Sequence, residues 1–564
     1  ALLPARYHLF VKSLEGMYAS FYPTPEIYLE IREEVNINNS KVKVFELANC
    51  QKCGQEYIVG TIEGGYLKHY NGNISDEHTS IKYFKICADE ETGEELDDDD
   101  CLFVEAKNNK LEDYILCTVC GKIEKVGKKR NENCCNVYDD RKYLKVKYVV
   151  NKGVSINSCT SCGGVLKDII KRFLTADTAA TNVISRSLYE MIPGNVKITM
   201  PKEDVEVEED DWFFDDGEES VSTQETVQEI INPRKLLIFS DNRQDAAFFA
   251  SYMNDKYNQI LWRKIIIKAL MESKEEYLGA DEVITRMVRI ASENDVYEEN
   301  IDKSEKNKIA STFLIKEIIS IERNTDLEAL GLINFRYDIP KLNRGYDKLN
   351  LSVDEFYALI NILLDSYRYQ SAVSFPSNII QTDEAFEPRN REVFFRLEES
   401  ELAKDKTVLG QLPKDKSENK RSNFIKRILI KNGLSKEMAM VEAKTILKEL
   451  STKLDHIFIK KGIVEQIDVK PFGTVKRLNY KKINISLGKE ENKLFICNRC
   501  GKITGNNIMN LCPEFRCEGT LVSYSFNLLN KYKYYKDLYN DLDLKPMIAK
   551  EHTAQLTSNT ASNI

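Results

Sequence analysis

At residues 235–250, KLLIFSDNRQDAAFFA, a block of apolar residues is followed by a polar block and then by further apolar residues. Its apolar start predicts a short buried strand, the polar corner predicts a turn, and the apolar steps that follow predict a helix. Ser240 or Asp241 can cap that helix, because a side-chain oxygen there can accept hydrogen bonds from its free amides. Strand, turn and helix in this order form the unit of a parallel α/β sheet, which binds ligands at the carboxyl ends of its strands.

Other segments carry longer or weaker patterns. Apolar residues at three- and four-residue steps predict a helix within 167–200 and a mainly helical segment at 261–470. The second segment is too long for an ordinary loop, so we expect a helical insertion packed on the α/β core. Period-two alternation predicts strands near residues 6–11 and 471–488. A strand is also expected at 545–550.

Cysteines mark a module at 41–166. It contains three Cys-x-x-Cys-Gly turns, each of which can point two thiolates at one ion, and Zn²⁺ favours a tetrahedral set of four. We predict an outer site from the first and third turns, and an inner site from the second turn with the adjacent pair at 134–135. The alternative joins the second turn to the third, and the spacing leaves it open. The candidate ligands are Cys50, Cys53, Cys117, Cys120, Cys134, Cys135, Cys159 and Cys162.

A second, compact module lies at 471–530, with Cys497, Cys500, Cys512 and Cys517. Here one pairing is sensible, because the four cysteines lie close together in the chain. Four thiolates leave no open position for water, so we expect structural zinc, two to three ions in all. The turns favour metal over disulfides in a chain without a secretory signal. We expect Cys87 and Cys101 to be buried thiols.

Composition sets the class of protein. A length of 564 residues predicts three or four domains, and 42% hydrophobic with 30% charged residues describes a soluble globular chain. We find no run of 18 apolar residues, so we expect a cytoplasmic protein without a membrane span. A net charge of −9 argues against coating nucleic acid by bulk charge, although a local basic track would suffice. Carboxylates crowd residues 201–232, where we expect an acidic flexible loop.

Two basic features could contact phosphate. Arg243 offers a planar fork of donors that fits a phosphate, or it could simply pair with a neighbouring aspartate. Residues 411–431 carry seven lysines and arginines, Lys420 and Arg421 among them. Such a run either neutralises backbone phosphates or forms a solvated helix face.

The stretch 235–250 resembles the fourth conserved motif of superfamily 2 helicases. It is most similar to the large DEAD/DEAH-box group that includes the MrfA (YprA) repair helicases, the Lhr-like enzymes and helicases of the Druantia and DISARM phage-defence systems. Stretches similar to the same group, in the same order, lie at 6–20, 173–193, 410–429, 495–503 and 549–556.

The resemblance implies a fold. We expect an α/β protein with part of the second RecA-like lobe, a parallel sheet, interrupted by the helical insertion and by two small zinc-ribbon-like modules. The lobe would begin with strands in 1–40, receive the helix at 167–200, carry the motif at 233–260 and continue at 531–564. Because the chain begins without methionine and ends without a closing pattern, we expect a fragment of a longer protein.

The resemblance also implies a function, that of an ATP-dependent nucleic-acid helicase or translocase in DNA repair or phage defence. Its nucleic-acid contacts would be Asn242, Arg243, Gln244, His552, Thr553, Gln555, Lys420 and Arg421, although the glycine usual near His552 is absent. The partners would be single-stranded or partly duplex DNA, the missing lobe, and other repair or defence proteins. We find no phosphate-binding loop, DEAD box or arginine finger, so ATP and Mg²⁺ would bind only in the intact parent protein, and this fragment alone should be inactive.

A different class of function competes with the motor. The chain could be a non-catalytic zinc-ribbon scaffold that binds nucleic acid or protein partners, and a Walker loop upstream in the parent gene would discriminate between the two. A zinc nuclease is a third possibility. It needs histidine or aspartate ligands with an open coordination position, and five scattered histidines argue against it.

Overall fold

The computed structural model describes most of the chain. It covers residues 16–37, 40–51, 55–70, 81–86, 110–126, 134–137, 139–150, 156–160, 168–173, 177–192, 198–200, 228–230, 236, 238, 243–298, 300–321, 325–387, 389–398, 401–402, 406–413, 417–488, 493–525, 533–544 and 546–550. The strand predicted at 6–11, most of the corner at 235–242, the acidic segment apart from 228–230, and the turn at 551–556 lie outside these residues. So do Cys87 and Cys101.

The chain forms two compact units, each assembled from separated segments. Unit I consists of Ala1–Ser13, Ala176–Tyr257 and Met547–Ile564. Unit II consists of Leu14–Thr175 and Asn258–Pro546. Both cysteine modules and the segment 261–470 belong to unit II.

The first part of unit II is an antiparallel sheet of ten strands in the order β10-β9-β11-β8-β6-β5-β1-β2, with β7 beside β6 and β12 beside β5. A separate hairpin joins β3 to β4. The strands are β1 (Tyr18–Ser20), β2 (Glu26–Tyr28), β3 (Glu34–Ile37), β4 (Ser40–Lys43), β5 (Phe45–Cys50), β6 (Glu56–Glu63), β7 (Tyr66–Lys68), β8 (Lys82–Ile86), β9 (Lys110–Cys117), β10 (Ile123–Lys125), β11 (Tyr143–Val150) and β12 (Ile170–Arg172).

Both faces of this sheet are buried at β6. Tyr57 and Val59 of β6 point into one apolar cluster, while Ile58 between them points into another with Phe84 and Leu116. A strand covered on both sides alternates little in hydrophobicity, so its sequence carries no period-two signal. Two of the cysteine turns begin where a strand of this sheet ends, since β5 finishes at Cys50 and β9 at Cys117.

Among its described residues, unit I contains two helices and a short hairpin. The elements are α1 (Asp177–Met191), β13 (Ile198–Met200), β14 (Gln228–Ile230) and α2 (Arg243–Met271), which continues past the unit boundary at Tyr257. The helix predicted after the polar corner is therefore present and begins at Arg243. The helix predicted within 167–200 begins later than expected. Ile170–Arg172 pairs with β5 as a strand, and α1 begins only at Asp177.

The second part of unit II mixes helices with short strands. Its elements are β15 (Leu278–Gly279), α3 (Ala280–Glu293), α4 (Lys303–Ile318), β16 (Ile333–Tyr337), α5 (Val353–Arg368), β17 (Glu392–Arg396), β18 (Glu401–Leu402), β19 (Lys406–Gly410), α6 (Lys420–Lys431), α7 (Lys436–Lys461), β20 (Val464–Val469), β21 (Gly473–Leu478), β22 (Ile483–Leu487), β23 (Phe495–Cys497), β24 (Ile503–Thr504), β25 (Leu521–Ser523) and α8 (Lys533–Asn540).

These strands form three sheets, in the orders β15-β22-β16, β18-β19-β17-β21-β20 and β24-β23-β25. The segment predicted as mainly helical therefore also contains strands, and β17 with β19 forms a parallel pair. The strands predicted at 471–488 are present as β21 and β22. Residues 546–550 adopt no strand, contrary to the prediction for 545–550.

Buried charges fix the centre of this second part. Arg368, the last residue of α5, is fully buried and donates to both carboxylate oxygens of Glu328 at 2.8 Å and to Asp365 at 2.9 Å. A buried guanidinium needs such partners, because removing its charge from water is otherwise costly. Among the described residues no helix is both long enough and apolar enough to cross a membrane.

Two candidate metal centres

The second cysteine module brings four sulfurs together. Those of Cys497, Cys500, Cys512 and Cys517 all lie within 4.8 Å of one another. The Cys497 and Cys517 sulfurs are 3.7 Å apart, and those of Cys500 and Cys512 are 3.5 Å apart. A tetrahedron with Zn–S bonds of about 2.3 Å places its sulfurs roughly 3.8 Å apart. The four cysteines therefore have the geometry of a structural zinc site.

The backbone of the turn that begins at Cys497 directs an amide N–H at the Cys497 sulfur. Cys497 ends β23, and the chain turns back so that its N–H donates to the Lys502 carbonyl at 2.9 Å. The Gly501 N–H donates to the Cys497 carbonyl at 3.1 Å, with Gly501 at φ +72°. The Arg499 N–H reaches the Cys497 sulfur at 3.4 Å. This turn needs glycine after the second cysteine, because the left-handed backbone conformation penalises a side chain.

Thiols this close share their protons unevenly. Hydrogen bonding with Cys500 lowers the pKa of Cys497, and the same contact raises the pKa of Cys500. A divalent cation that displaces the remaining protons would make all four sulfurs ligands, so metal binding here should release protons.

The first cysteine module contains a second set of four. The sulfurs of Cys117, Cys120, Cys134 and Cys135 lie within 4.8 Å of one another, and those of Cys117 and Cys135 are 3.8 Å apart. This is the composition predicted for the inner site. The adjacent cysteines at 134 and 135 both reach the cluster.

The turn at Cys117 repeats the turn at Cys497. The Cys117 N–H donates to the Lys122 carbonyl at 2.8 Å, and the Gly121 N–H donates to the Cys117 carbonyl at 2.9 Å. Gly121 has φ +80°, and a Cβ there would lie 3.2 Å from the Leu67 carbonyl oxygen. Both turns read Cys-x-x-Cys-Gly-Lys, so one local sequence builds the same thiolate cradle twice.

Each cluster has a cation beside it that the sequence alone does not indicate, buried at the first cluster and half-buried at the second. Lys142 is 2% exposed, and its Nζ lies 3.7 Å from the Cys135 sulfur and donates to the Val137 carbonyl. Arg427 of α6 donates to the Cys512 carbonyl at 2.7 Å, and burial lowers its pKa. Four thiolates on one divalent ion carry two net negative charges, which a neighbouring cation offsets.

The predicted outer site is only partly within the described residues. Cys50 and Cys159 are both buried in one apolar cluster, and Tyr57 Oη lies 3.3 Å from the Cys159 sulfur. Burial, and then the nearby Cys159 sulfur, raise the pKa of Tyr57. Cys53 and Cys162 lie outside the described residues. The structure therefore brings together one cysteine from each of the two turns.

Arg421 was predicted to contact nucleic acid, but its side chain is buried inside the fold. It is 2% exposed, it donates to the Gly410 carbonyl and to Ser366 Oγ, and its guanidinium lies 4.5 Å from the Tyr367 ring centre. A side chain used in this way inside the fold does not reach a phosphate on the surface. The reason is α6 itself, whose cap at Asn419 turns Arg421 toward the core.

Much of the remaining basic run is also used internally. Lys426 pairs with Glu418 at 2.5 Å, and Arg427 holds the second cysteine module. Lys420, which is half-buried, lines a cavity of about 350 Å³ together with Cys500 and Lys502. Lys431 at the end of α6 is exposed. The described part of the run, 417–431, is therefore neither a free phosphate track nor a uniformly solvated helix face.

The side chains of the other residues predicted to contact nucleic acid in the motor lobe lie outside the described residues. Arg243 and Gln244 occupy the first turn of α2, but their side chains lie outside the described residues. Asn242, His552, Thr553 and Gln555 lie outside them entirely.

Comparison with protein-family models gives a match in the first part of unit II. Residues 27–174 match the sequence model of the YjiV N-terminal domain family. This range begins within β2 and ends just after β12, so it coincides with most of the ten-stranded sheet and its cysteines. No curated protein and no solved structure matches the chain.

Proposed function

We propose that this chain is part of a superfamily 2 helicase or translocase and that unit I belongs to its second RecA-like lobe. The observation that carries the proposal is the composition of unit I, which gathers segments separated by hundreds of residues. Those segments contain most of the helicase-like stretch at 173–193 and all of 235–250 and 549–556, whereas the stretches at 410–429 and 495–503 belong to unit II. A motor lobe interrupted by insertions would be assembled in this way.

Contacts within unit I support this assembly. The rings of Tyr189 on α1 and Tyr257 on α2 meet edge to face at 6.1 Å. Asn254 of α2 donates to the Ala549 carbonyl at 2.8 Å and accepts from the Ala549 N–H at 2.7 Å. This double hydrogen bond fixes the returning chain on the helix that follows the motif. The turn with His552 comes three residues later.

The proposed mechanism is stepwise movement along a strand. ATP would close two lobes, each holding the sugar–phosphate backbone, and hydrolysis would reopen them. Arg243, Asn242 and Gln244, with His552, Thr553 and Gln555, would be this lobe's contacts to phosphates. Contacts to backbone rather than bases make such tracking independent of sequence. ATP and Mg²⁺ would bind in the intact parent protein, in the cytoplasm, during DNA repair or phage defence.

The role of Arg243 is testable in that parent protein. Arg243→Ala should weaken binding of a fluorescent oligo-dT strand and uncouple ATP hydrolysis from duplex unwinding, because one backbone contact is lost. Lys274→Ala, an exposed lysine in the loop after α2, is the matched control. Unwinding rates that are equal in both variants would contradict the proposal.

A zinc-ribbon scaffold remains the second candidate. It is favoured by the two four-cysteine clusters and by the family match, which covers the first cysteine module. A parent protein that binds partners but never hydrolyses ATP would select this function.

We also propose the outer zinc site, formed by Cys50 and Cys159 with Cys53 and Cys162. The proximity of Cys50 and Cys159 in one cluster supports it. Metal analysis of the purified chain should then give three zinc ions, and Cys50→Ser with Cys159→Ser should remove one of them. A wild-type content of two, unchanged by the substitutions, would contradict the site.

A further inference from the structure

The ten-stranded sheet of unit II ends at an exposed strand. Among the described strands, β2 pairs with β1 alone, with Tyr28 opposite Tyr18. The other side of such an edge strand presents backbone N–H and C=O groups that can hydrogen-bond to a further strand. The chain continues from β2 through residues 29–33, all of which are exposed. We call residues 26–32 the β2 edge.

The side chains of the β2 edge alternate between two faces. On the polar face, Tyr28 Oη donates to Glu26 at 2.7 Å. Arg32 donates to Glu30 at 3.1 Å, and its guanidinium lies 5.2 Å from the Tyr28 ring centre. Contacts between residues two and four apart place these side chains on one side of an extended chain. The residues between them therefore point to the opposite face.

That opposite face is apolar and open to solvent. Ile27, Leu29 and Ile31 are 63%, 60% and 56% exposed. A single exposed apolar side chain is ordinary, whereas a contiguous apolar patch marks a surface that another molecule covers. The β2 edge thus combines an apolar stripe with backbone groups that a further strand could engage.

The sequence of the β2 edge is complementary to itself. If a second copy lies antiparallel with its Leu29 opposite this Leu29, Ile27 faces Ile31 of the second copy. In the same register Glu26 faces Arg32 of the second copy. A two-fold axis repeats each of these contacts, so every pair occurs twice. Apolar pairs and opposite charges that face each other across two strands stabilise their pairing.

The neighbouring symmetric registers are less favourable. Centring the pair on Tyr28 places Glu26 opposite Glu30 of the second copy. Centring it on Glu30 places two glutamates opposite each other on the axis. Like charges directly opposite each other destabilise an antiparallel pair. Charge and apolar pattern therefore select the register centred on Leu29.

We propose that the β2 edge joins two copies of this chain in an antiparallel pair centred on Leu29. The two sheets would continue through the interface, with three apolar side chains from each copy on one face and the charged pairs on the other. Backbone groups on the outer side of β2 would gain hydrogen-bond partners. The proposal is independent of the motor function.

The test measures the mass of the full chain by sedimentation equilibrium over a range of concentrations, under reducing conditions. The wild-type chain should form a dimer. Leu29→Glu should weaken dimerisation about tenfold, because it places two carboxylates opposite each other on the axis. Val126→Glu is the matched control and should leave the dimer unchanged. Val126 is 55% exposed and follows β10, at the other end of the sheet.

Charge reversal tests the register. Glu26→Arg places an arginine opposite Arg32 of the second copy and should weaken the dimer several-fold. Adding Arg32→Glu to the same chain restores the opposite charges and should return dimerisation to the wild-type level. Glu26 and Arg32 are both exposed, so these variants should fold, and circular dichroism checks that they do.

A chain that stays monomeric at every concentration would overturn the proposal. So would a dimer that Leu29→Glu or Glu26→Arg leaves intact, or one that the double reversal fails to restore. Binding of phosphatidylcholine vesicles by a monomeric chain, lost in Leu29→Glu, would also overturn it, because a membrane rather than a second copy would then cover the apolar face.

Discussion

At the scale of single residues, several charged side chains are buried and stabilise the interior of the fold, although their neighbours in the sequence do not indicate this. Lys142, Arg368 and Arg421 are all nearly or fully buried. Each one is held by sulfur, carboxylate or carbonyl partners. Their local sequences resemble those of surface residues, because burial depends on how the whole chain packs; Arg368 and Arg421, for example, also bond Glu328 and Ser366, which lie 40 and 55 residues away. This is why a phosphate-binding role for Arg421 was a reasonable but wrong prediction.

Arg421 should therefore matter for stability. Arg421→Ala removes the donors to the Gly410 carbonyl and Ser366 and should lower the free energy of unfolding by about 3 kcal/mol. Lys431→Ala, at the exposed end of the same helix, should change it by less than about 0.5 kcal/mol. Urea denaturation measures both, and equal small effects would contradict the structural role.

Lys142 should matter for the metal. Lys142→Met keeps the length of the side chain but removes the charge beside Cys135. We expect the first cluster to lose zinc to a chelator about tenfold more readily, since groups around metal ligands are worth about 10–100-fold in affinity. Lys145→Met on β11 is the exposed control. If both variants release zinc at the wild-type rate, Lys142 plays no part in holding it.

Asp326 should give stability a pH dependence. Burial, then the nearby Glu317 and Glu328 carboxylates, raise its pKa to about 7. The unfolded chain releases this proton near pH 4, whereas the folded chain keeps it until about pH 7. Stability from this group is therefore greatest at low pH and falls as the pH rises from about 4 to 7. Asp326→Asn should flatten that part of the curve in denaturation series, and an unchanged slope would argue against the raised pKa.

At the scale of elements, local patterns succeeded where contacts are local. The Cys-x-x-Cys-Gly turns and the helix that begins at Arg243 follow from a few neighbouring residues. Short strands were not predicted, because their partners can lie far away in the sequence. Strand β16, for example, pairs with β22, about 150 residues later. The strands that the structure adds within 261–470 are at most six residues long and alternate too few times to stand out among helices.

Hydrogen bonds connect the second cysteine module to α6. Arg427 of α6 donates to the Cys512 carbonyl, and the Arg516 N–H donates to Asn423 of α6 at 3.3 Å. Lys502 pairs with Glu514 at 3.2 Å and lies 4.4 Å from the Tyr369 ring centre. The position of α6 should therefore depend on the metal cluster.

Loss of that metal should loosen α6 more than helices without such contacts. Cys497→Ser with Cys500→Ser should speed amide hydrogen exchange in α6, because two anchors of the helix would lose their fixed partners. The matched reference is α3 in the same protein. Exchange that rises equally in α3 and α6 would indicate general unfolding and contradict the specific coupling.

At the scale of the whole molecule, the chain divides into two compact units, each assembled from separated segments. The two cysteine modules lie together in unit II, which the order of the chain alone did not reveal.

The most direct test of the motor proposal is ATP hydrolysis by the intact parent protein, measured with and without single-stranded DNA. We predict hydrolysis that rises at least tenfold with the strand and that loses this stimulation in Arg243→Ala. Absence of hydrolysis, or hydrolysis indifferent to DNA, would contradict the motor.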